Sequence, residues 1–154
     1  MNIGSDLRTE TVLQANPIPP VRIQAELPVR AALELLRDIG RSAVLVCDGE
    51  RLVGIFTERD ALRILASEGD IDAPIKDVMA RDPVTVRETD SVGTAIRKMS
   101  TNGYRRLPIV DGQGRPTGLL DVSGVIHWLV DHFPSAVYNL PPVAKPAMHQ
   151  REGP

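Results

Sequence analysis

The first half of the chain switches repeatedly between two spacings of its hydrophobic residues. Val21, Ile23 and Ala25 alternate with polar residues, which predicts a short strand. The hydrophobic positions that follow recur every three or four residues, which predicts an amphipathic helix ended by Gly40. Two apolar runs then flank an Asp-Gly pair at positions 48 and 49, which is typical of a hairpin turn. The predicted elements are a strand at 21–25, a helix at 28–39, strands at 43–47 and 51–56, and a helix from Thr57 to about residue 67.

This order of elements returns in the second half of the chain. Gly40 aligns with Gly103, 63 positions later, and one residue inserted in the second hairpin turn brings Gly54 into line with Gly118. Two copies are too few for a solenoid, so we expect a closed pair related by a pseudo-twofold axis. The predicted fold class is α/β, with two pseudo-symmetric β-α-β-β-α repeats packed sheet to sheet and helices outside. The second copy has predicted strands at 84–86, 107–110 and 117–120, a turn at 111–114, and helices at 91–101 and 122–131.

The repeats also define the organisation of the chain. Ile75, Val78 and Met79 predict one helical turn between the two copies. Prolines are dense at 16–20 and at 140–154, and such segments bury too little apolar surface to offset the entropy lost on ordering. The predicted segments are an N-terminal extension at 1–20, the first repeat at 21–68, a linker at 69–83, the second repeat at 84–133, and a partly disordered C-terminal tail at 134–154.

Composition and charge exclude several classes of function. A formal net charge of −2 and an aromatic content of 3% argue against nucleic-acid binding, which needs a positive field or stacking platforms. No run approaches the ~18 apolar residues of a membrane span, and the N-terminus has acidic residues and no apolar run, so it does not resemble a signal peptide. We therefore expect a cytoplasmic protein whose single cysteine, Cys47, is buried. His127, His132 and His149 lack metal-ligand spacing and no nucleophile lies beside a base, so neither a metal site nor a catalytic residue is predicted.

The segment 54–60, with the sequence GIFTERD, is the most informative chemically. Gly54 allows a ligand or another backbone to approach the end of a strand. Thr57 is a predicted helix N-cap, where free backbone N–H groups attract phosphate. Asp60, one turn later, can accept two hydrogen bonds from the vicinal hydroxyls of a ribose. The same Thr-x-x-Asp spacing is also a variant of the capping box, which stabilises a helix by about 1 kcal/mol without any ligand. The segment alone leaves both interpretations open.

The two copies together resemble the CBS domain pair, the cystathionine-β-synthase-type regulatory module also called a Bateman module. The resemblance covers about residues 20–132 and rests on the repeat, on LVGIFTERDAL in the first copy and on NGYRRLPIVDGQGRPTGLL in the second. It implies an adenosine-nucleotide site in which Asp60 holds the ribose and Thr57 assists with the phosphate. Gly54 and Ile55, in the same segment, are assigned to this site.

The resemblance also implies a role for two adjacent arginines, Arg105 and Arg106, which precede the Leu-Pro strand of the second copy. In the family that the chain resembles, basic residues at these positions often contact the phosphates of the nucleotide held by the first copy. Consecutive residues at a strand edge diverge, so at least one of the two is expected to face the cleft between the copies. The guanidinium fork suits phosphate, which favours AMP, ADP or ATP over S-adenosylmethionine, a sulfonium cation. The nucleotide is expected as a regulatory ligand, and no cofactor is predicted.

The second copy departs from the ligand-binding pattern. Asp121 stands where the first copy has Thr57, and Gly124 stands where it has Asp60. Asp121 still suits a helix N-cap, but its carboxylate would repel a phosphate by about 1 kcal/mol at ~4 Å in water-like dielectric. Gly124 has no side chain to hold a ribose. We therefore expect one competent nucleotide site per chain.

Two functions remain open at this point. The first is a stand-alone regulatory module that binds an adenosine nucleotide and acts as an energy or metabolite sensor through an unidentified effector protein. The second is a ligand-free structural or scaffolding dimer in which the 54–60 segment only caps a helix. A homodimer is expected in both cases, formed by the predicted helices at 28–39 and 91–101 or by the second helix of each repeat.

Overall fold

A computed structural model describes residues 3–132 of the chain. The predicted C-terminal tail lies outside the described residues. The helices are α1 (Ile3–Thr9), α2 (Val29–Ile39), α3 (Glu58–Ala66), α4 (Val92–Asn102) and α5 (Val122–His132), with short 3-10 helices at Val12–Gln14 and Ile75–Asp77. The strands are β1 (Arg22–Gln24), β2 (Ala43–Asp48), β3 (Arg51–Thr57), β4 (Ala80–Arg81), β5 (Val86–Arg87), β6 (Arg106–Val110) and β7 (Pro116–Asp121).

The strands form two sheets, one for each repeat. The first has the order β1-β2-β3-β4 and the second the order β5-β6-β7. In each sheet a short strand pairs in parallel with the first strand of a hairpin, and the hairpin strands pair antiparallel. Both predicted β-α-β-β-α repeats are therefore present, and the predicted fold class is confirmed.

Strand β2 shows why the two sheets pack against each other. Its residues Ala43–Cys47 are all buried, because both faces of the strand are covered. Val44 and Val46 pack with α2 and α3, whereas Ala43 and Leu45 pack with Leu119 of the second sheet. A run of hydrophobic residues without polar alternation is thus divided between a helix layer and a sheet interface. Cys47 is buried as predicted, and burial raises the pKa of its thiol.

The first helix of each repeat ends at the predicted glycine. Gly40 and Gly103 have φ values of 71° and 70°, in the left-handed region that residues with a Cβ atom rarely adopt. Each backbone N–H donates to a carbonyl in the last turn of the helix that it ends. The matching geometry supports the alignment of the two copies.

The segment that precedes each repeat packs on the other repeat. Val12 N–H donates to the Asp90 carbonyl at 2.9 Å, and Ile18 exchanges two hydrogen bonds of 2.9 Å with Leu119. The linker behaves symmetrically: Ile75 is buried in the first repeat, and β4 pairs with β3. The expectation that 16–20 is unable to pack is therefore wrong. Backbone hydrogen bonds between Ile18 and β7 help to offset the entropy that this segment loses when it becomes ordered. The predicted helical turn in the linker is present as the 3-10 helix.

Within residues 3–132, no helix is both long and apolar enough to cross a bilayer.

Candidate functional site

A cleft of about 870 Å³ lies between the two repeats, lined by the end of β3 in the first repeat and by the start of β6 in the second. Five of the six residues predicted for the nucleotide site line it: Ile55, Thr57, Asp60, Arg105 and Arg106. They come from segments nearly fifty residues apart in the sequence. The fold thus brings the Thr-x-x-Asp segment of one copy to the arginine pair of the other.

Thr57 and Asp60 form a complete capping box at the start of α3. The Asp60 backbone N–H donates to Thr57 Oγ1 at 3.5 Å, and the Thr57 backbone N–H donates to Asp60 Oδ2 at 2.9 Å. Thr57 Oγ1 also donates to Asp60 Oδ2 at 3.2 Å. The interpretation of this segment as a cap is therefore confirmed, and these contacts fix the position of Asp60 at the wall of the cleft.

The two oxygens of Asp60 differ in their partners. Oδ2 accepts both bonds from Thr57, whereas Oδ1 accepts one from Arg63 Nη1 at 3.2 Å. Asp60 is 8% exposed, but the Arg63 side chain is 67% exposed and can leave without breaking the cap. A carboxylate oxygen has two acceptor sites. Asp60 Oδ1 is thus the atom with capacity for an incoming hydroxyl.

The two predicted arginines both line the cleft but differ in their surroundings. Arg105 is exposed, and its side chain makes no hydrogen bond or ion pair with another residue in the range 3–132. Arg106 belongs to β6, one residue earlier than the predicted strand start, and its side chain is 25% exposed. Its Nε lies 3.4 Å from Asp121 Oδ2.

Sequence reasoning missed four polar residues that line the same cleft. Glu58 and Arg59 lie between the capping-box residues on α3, Arg81 lies on β4, and Tyr104 directly precedes the arginine pair. With them the cleft has four arginines against two carboxylates, those of Glu58 and Asp60, so an anion is the favoured ligand. Arg81 reaches the cleft because the linker pairs with β3, and no local sequence pattern predicts that pairing.

Gly54 is the predicted site residue that does not line the cleft. A Cβ atom at this position would collide with the side chain of Met79 in the linker. The close approach that Gly54 permits is therefore to the protein's own linker, which packs against β3 there.

The start of α5 is the second repeat's counterpart of this site. Asp121 Oδ1 accepts hydrogen bonds from the backbone N–H and Oγ of Ser123, both at 2.8 Å, so the carboxylate caps the helix. A Cβ atom on Gly124 would lie 2.8 Å from the Ala15 carbonyl oxygen and 3.1 Å from that of Asn16. The N-terminal segment therefore occupies the space that a side chain such as that of Asp60 would need.

Comparison with known protein families agrees with this two-repeat architecture. The model of the CBS domain matches residues 15–67 and, a second time, residues 75–131. The chain belongs to the CBS domain family. Each match begins before the predicted repeat, at residues 15 and 75. The family model therefore includes the preceding segments, each of which packs on the other repeat in the fold.

Two relatives of different kinds are similar to this chain. An uncharacterised 17.7 kDa protein of Acidianus ambivalens is 31% identical over 110 residues, 71% of this chain and 66% of the relative. An inosine-5′-monophosphate dehydrogenase of Thermoplasma acidophilum is 30% identical over 104 residues, 68% of this chain and 20% of the enzyme. The chain thus spans less than two thirds of the length of either relative.

Solved CBS structures have the same fold. CBSX2 in complex with AMP matches with a TM-score of 0.70 and 26% identity, over 80% of this chain and 98% of that one. The CBS domain protein PAE2072 of Pyrobaculum aerophilum, complexed with AMP, gives 0.70 and 24% over 79% and 98%. The CBS pair of MJ0100, in complex with 5′-methylthioadenosine and S-adenosyl-L-methionine, gives 0.72 and 22% over 80% and 98%.

Proposed function

We propose that this CBS pair binds an adenosine nucleotide, AMP, ADP or ATP, in the cleft between its repeats and acts as a regulatory module. The observation that carries the proposal is that Thr57 and Asp60 of one repeat line the same cleft as Arg105 and Arg106 of the other. A ribose acceptor and phosphate donors are thus available to one ligand. The AMP complex of CBSX2, which is 26% identical to this chain, supports the same class of ligand.

Each part of the nucleotide has a proposed partner. Asp60 Oδ1 accepts the ribose hydroxyls, replacing the exposed Arg63 contact. Thr57 lies beside the phosphate, which Arg105 and Arg106 of the same cleft bind. Ile55 supplies apolar surface to the same wall as Thr57. Four arginines disfavour the sulfonium of S-adenosylmethionine, so a phosphate-bearing ligand is proposed.

The regulatory role rests on an apolar surface that adjoins the cleft. Leu62 is 68% exposed and lines both the nucleotide cleft and a groove between α2 and α3, where Leu33 and Leu36 contact the same space. Leu65, also exposed, extends this surface along α3. We propose that a second copy of the chain covers it to form a homodimer. Because Leu62 belongs to both spaces, ligand binding would alter the packing of the two copies, and through it the dimer that an effector protein recognises.

Titration with adenine nucleotides tests the ligand directly. AMP, ADP, ATP, adenosine and S-adenosylmethionine are added separately to the full chain, and binding is measured by calorimetry and by the thermal unfolding midpoint. A ligand at 100 times its Kd adds about 2.7 kcal/mol of stability to the protein that binds it. Binding of a nucleotide with little response to S-adenosylmethionine is expected. No response to any nucleotide would refute the proposed function.

A structural dimer without a ligand is the second candidate. The observation that favours it is the capping box at Thr57, which is complete without a bound molecule. The same titration separates the two functions, since a structural dimer would show no nucleotide-dependent stabilisation. Light scattering would then still report a mass of two chains.

A further inference from the structure

Arg106 pairs with Asp121, the residue directly before α5. Arg106 and Asp121 are directly opposite each other in the antiparallel pairing of β6 with β7. Arg106 Nε lies 3.4 Å from Asp121 Oδ2, and the side chains are 25% and 26% exposed. This Nε is buried and makes no hydrogen bond within residues 3–132, so Asp121 is its ion-pair partner. The contact pairs a carboxylate that does not line the cleft with a guanidinium that does.

Asp121 is itself fixed in place. Its Oδ1 accepts two hydrogen bonds from Ser123, which leaves Oδ2 directed to Arg106. The backbone of the arginine pair is fixed at the same point, because the Val122 N–H donates to the Arg105 carbonyl at 2.9 Å. The first turn of α5 thus anchors the segment that carries both arginines.

We infer that Asp121 is a positioning residue for the nucleotide site, holding the Arg106 guanidinium so that it presents its terminal nitrogens to a phosphate in the cleft. Asp121 does not line that cleft, so it acts through Arg106. The inference rests on the proposed function. It gives the residue that replaces Thr57 in the second repeat a role in the site of the first.

The physical basis is that different nitrogens of the Arg106 guanidinium serve two partners, Asp121 and the phosphate. Nε, paired with Asp121, is buried, and the two terminal nitrogens remain available for a bidentate contact. Fixing an arginine before the ligand arrives reduces the rotamer entropy lost on binding. The gain is expected to exceed the repulsion between Asp121 and the phosphate, because Asp121 does not line the cleft and its charge is paired with that of Arg106.

Asp121→Asn tests the inference, since asparagine keeps the size and the capping ability of aspartate but removes the charge. AMP and adenosine affinities are measured by calorimetry for the wild type, Asp121→Asn, Arg106→Gln and the double variant. Asp121→Asn is expected to weaken AMP about tenfold, equivalent to about 1.4 kcal/mol, with adenosine unchanged. In the Arg106→Gln background the same change should have almost no effect on AMP.

The control variant is Asp111→Asn, which removes an aspartate from the same repeat at a hairpin turn away from the cleft. It should leave AMP binding unchanged. Equal losses for AMP and adenosine in Asp121→Asn would indicate a structural role only, and unchanged or tighter AMP binding would overturn the inference. Additive effects in the double variant would overturn it as well. If the wild type does not bind AMP, the proposed function fails first, so the two failures are distinguishable.

Discussion

The starts of α3 and α5 occupy equivalent places in the two repeats but differ in chemistry. At α3, Thr57 and Asp60 cap the helix and line an open cleft. At α5, Asp121 caps the helix through Ser123, and the chain around Asn16 covers Gly124. Both helices are capped by a side chain, so either sequence satisfies what the fold requires at the start of the helix. Under the proposed function, the two repeats share one scaffold while only one of the two equivalent positions has ligand-binding chemistry.

The largest expected effect is at Asp60. Asp60→Ala should abolish measurable AMP binding, because two charge-assisted hydrogen bonds of ~1.5–3 kcal/mol each are lost. The fold should survive with about 1 kcal/mol lost from the cap. Calorimetry gives the affinity and thermal unfolding gives the stability. Asp60→Asn, which keeps the size, is the matched variant. If both variants bind AMP as tightly as the wild type, Asp60 is only a cap.

Removing the arginine pair should distinguish phosphate binding from nucleoside binding. Arg105→Ala/Arg106→Ala is expected to weaken AMP by at least about 100-fold, since each of the two charge-assisted contacts contributes ~1.5–3 kcal/mol. Adenosine, which has no phosphate, should bind this variant as it binds the wild type. Calorimetric titration of both ligands makes the comparison. Equal losses for the two ligands would contradict a role in phosphate binding.

Placing an aspartate at position 124 of the second repeat should destabilise the protein and create no second nucleotide site. In Gly124→Asp the new Cβ would meet the backbone carbonyls of Ala15 and Asn16, and such overpacking costs ~1–3 kcal/mol. A fall of several degrees in the unfolding midpoint is expected, with AMP stoichiometry unchanged. Gly112→Ala is the control, because its Cβ would meet only the flexible end of Arg87 at 3.2 Å. An unchanged midpoint or a second AMP in Gly124→Asp would contradict this account.

The smallest effect is expected at the hairpin turn of the second repeat. Hydrogen bonds to the carboxylate, chiefly from the Arg115 backbone N–H, lower the pKa of Asp111 from 3.8 to about 2. The folded state therefore binds this proton less readily than the unfolded state does. The resulting stability is present above pH 3.8 and is lost as the pH falls through about 2. Asp111→Asn should flatten the acid dependence of the unfolding free energy in that window, as measured by urea titration. The wild-type slope in the variant would contradict it.

The order of elements could be predicted from the sequence because its signals are local. The predicted helix at 28–39 and the observed Val29–Ile39 differ by one residue, and the glycine after it ends the helix as expected. The meeting of the capping-box segment with the arginine pair was expected from the family resemblance. It has a simple structural basis, since the end of β3 and the start of β6 line the same cleft.

The parts that could not be predicted depend on contacts between distant segments. Ile18 is ordered by β7 and Arg81 is brought to the cleft by β3, each across the boundary between repeats. The glycine at 54 indicated a close approach, but only the fold shows that the approaching group is Met79. Asp121 was expected to be incompatible with phosphate, and its pairing with Arg106 depends on the cross-strand register.

The stoichiometry of AMP binding to the wild-type chain tests the central claim most directly. The difference between the two helix starts predicts one AMP per chain in a calorimetric titration, with that binding abolished by Asp60→Ala. Two equivalent sites per chain, or one site that persists in Asp60→Ala, would contradict it.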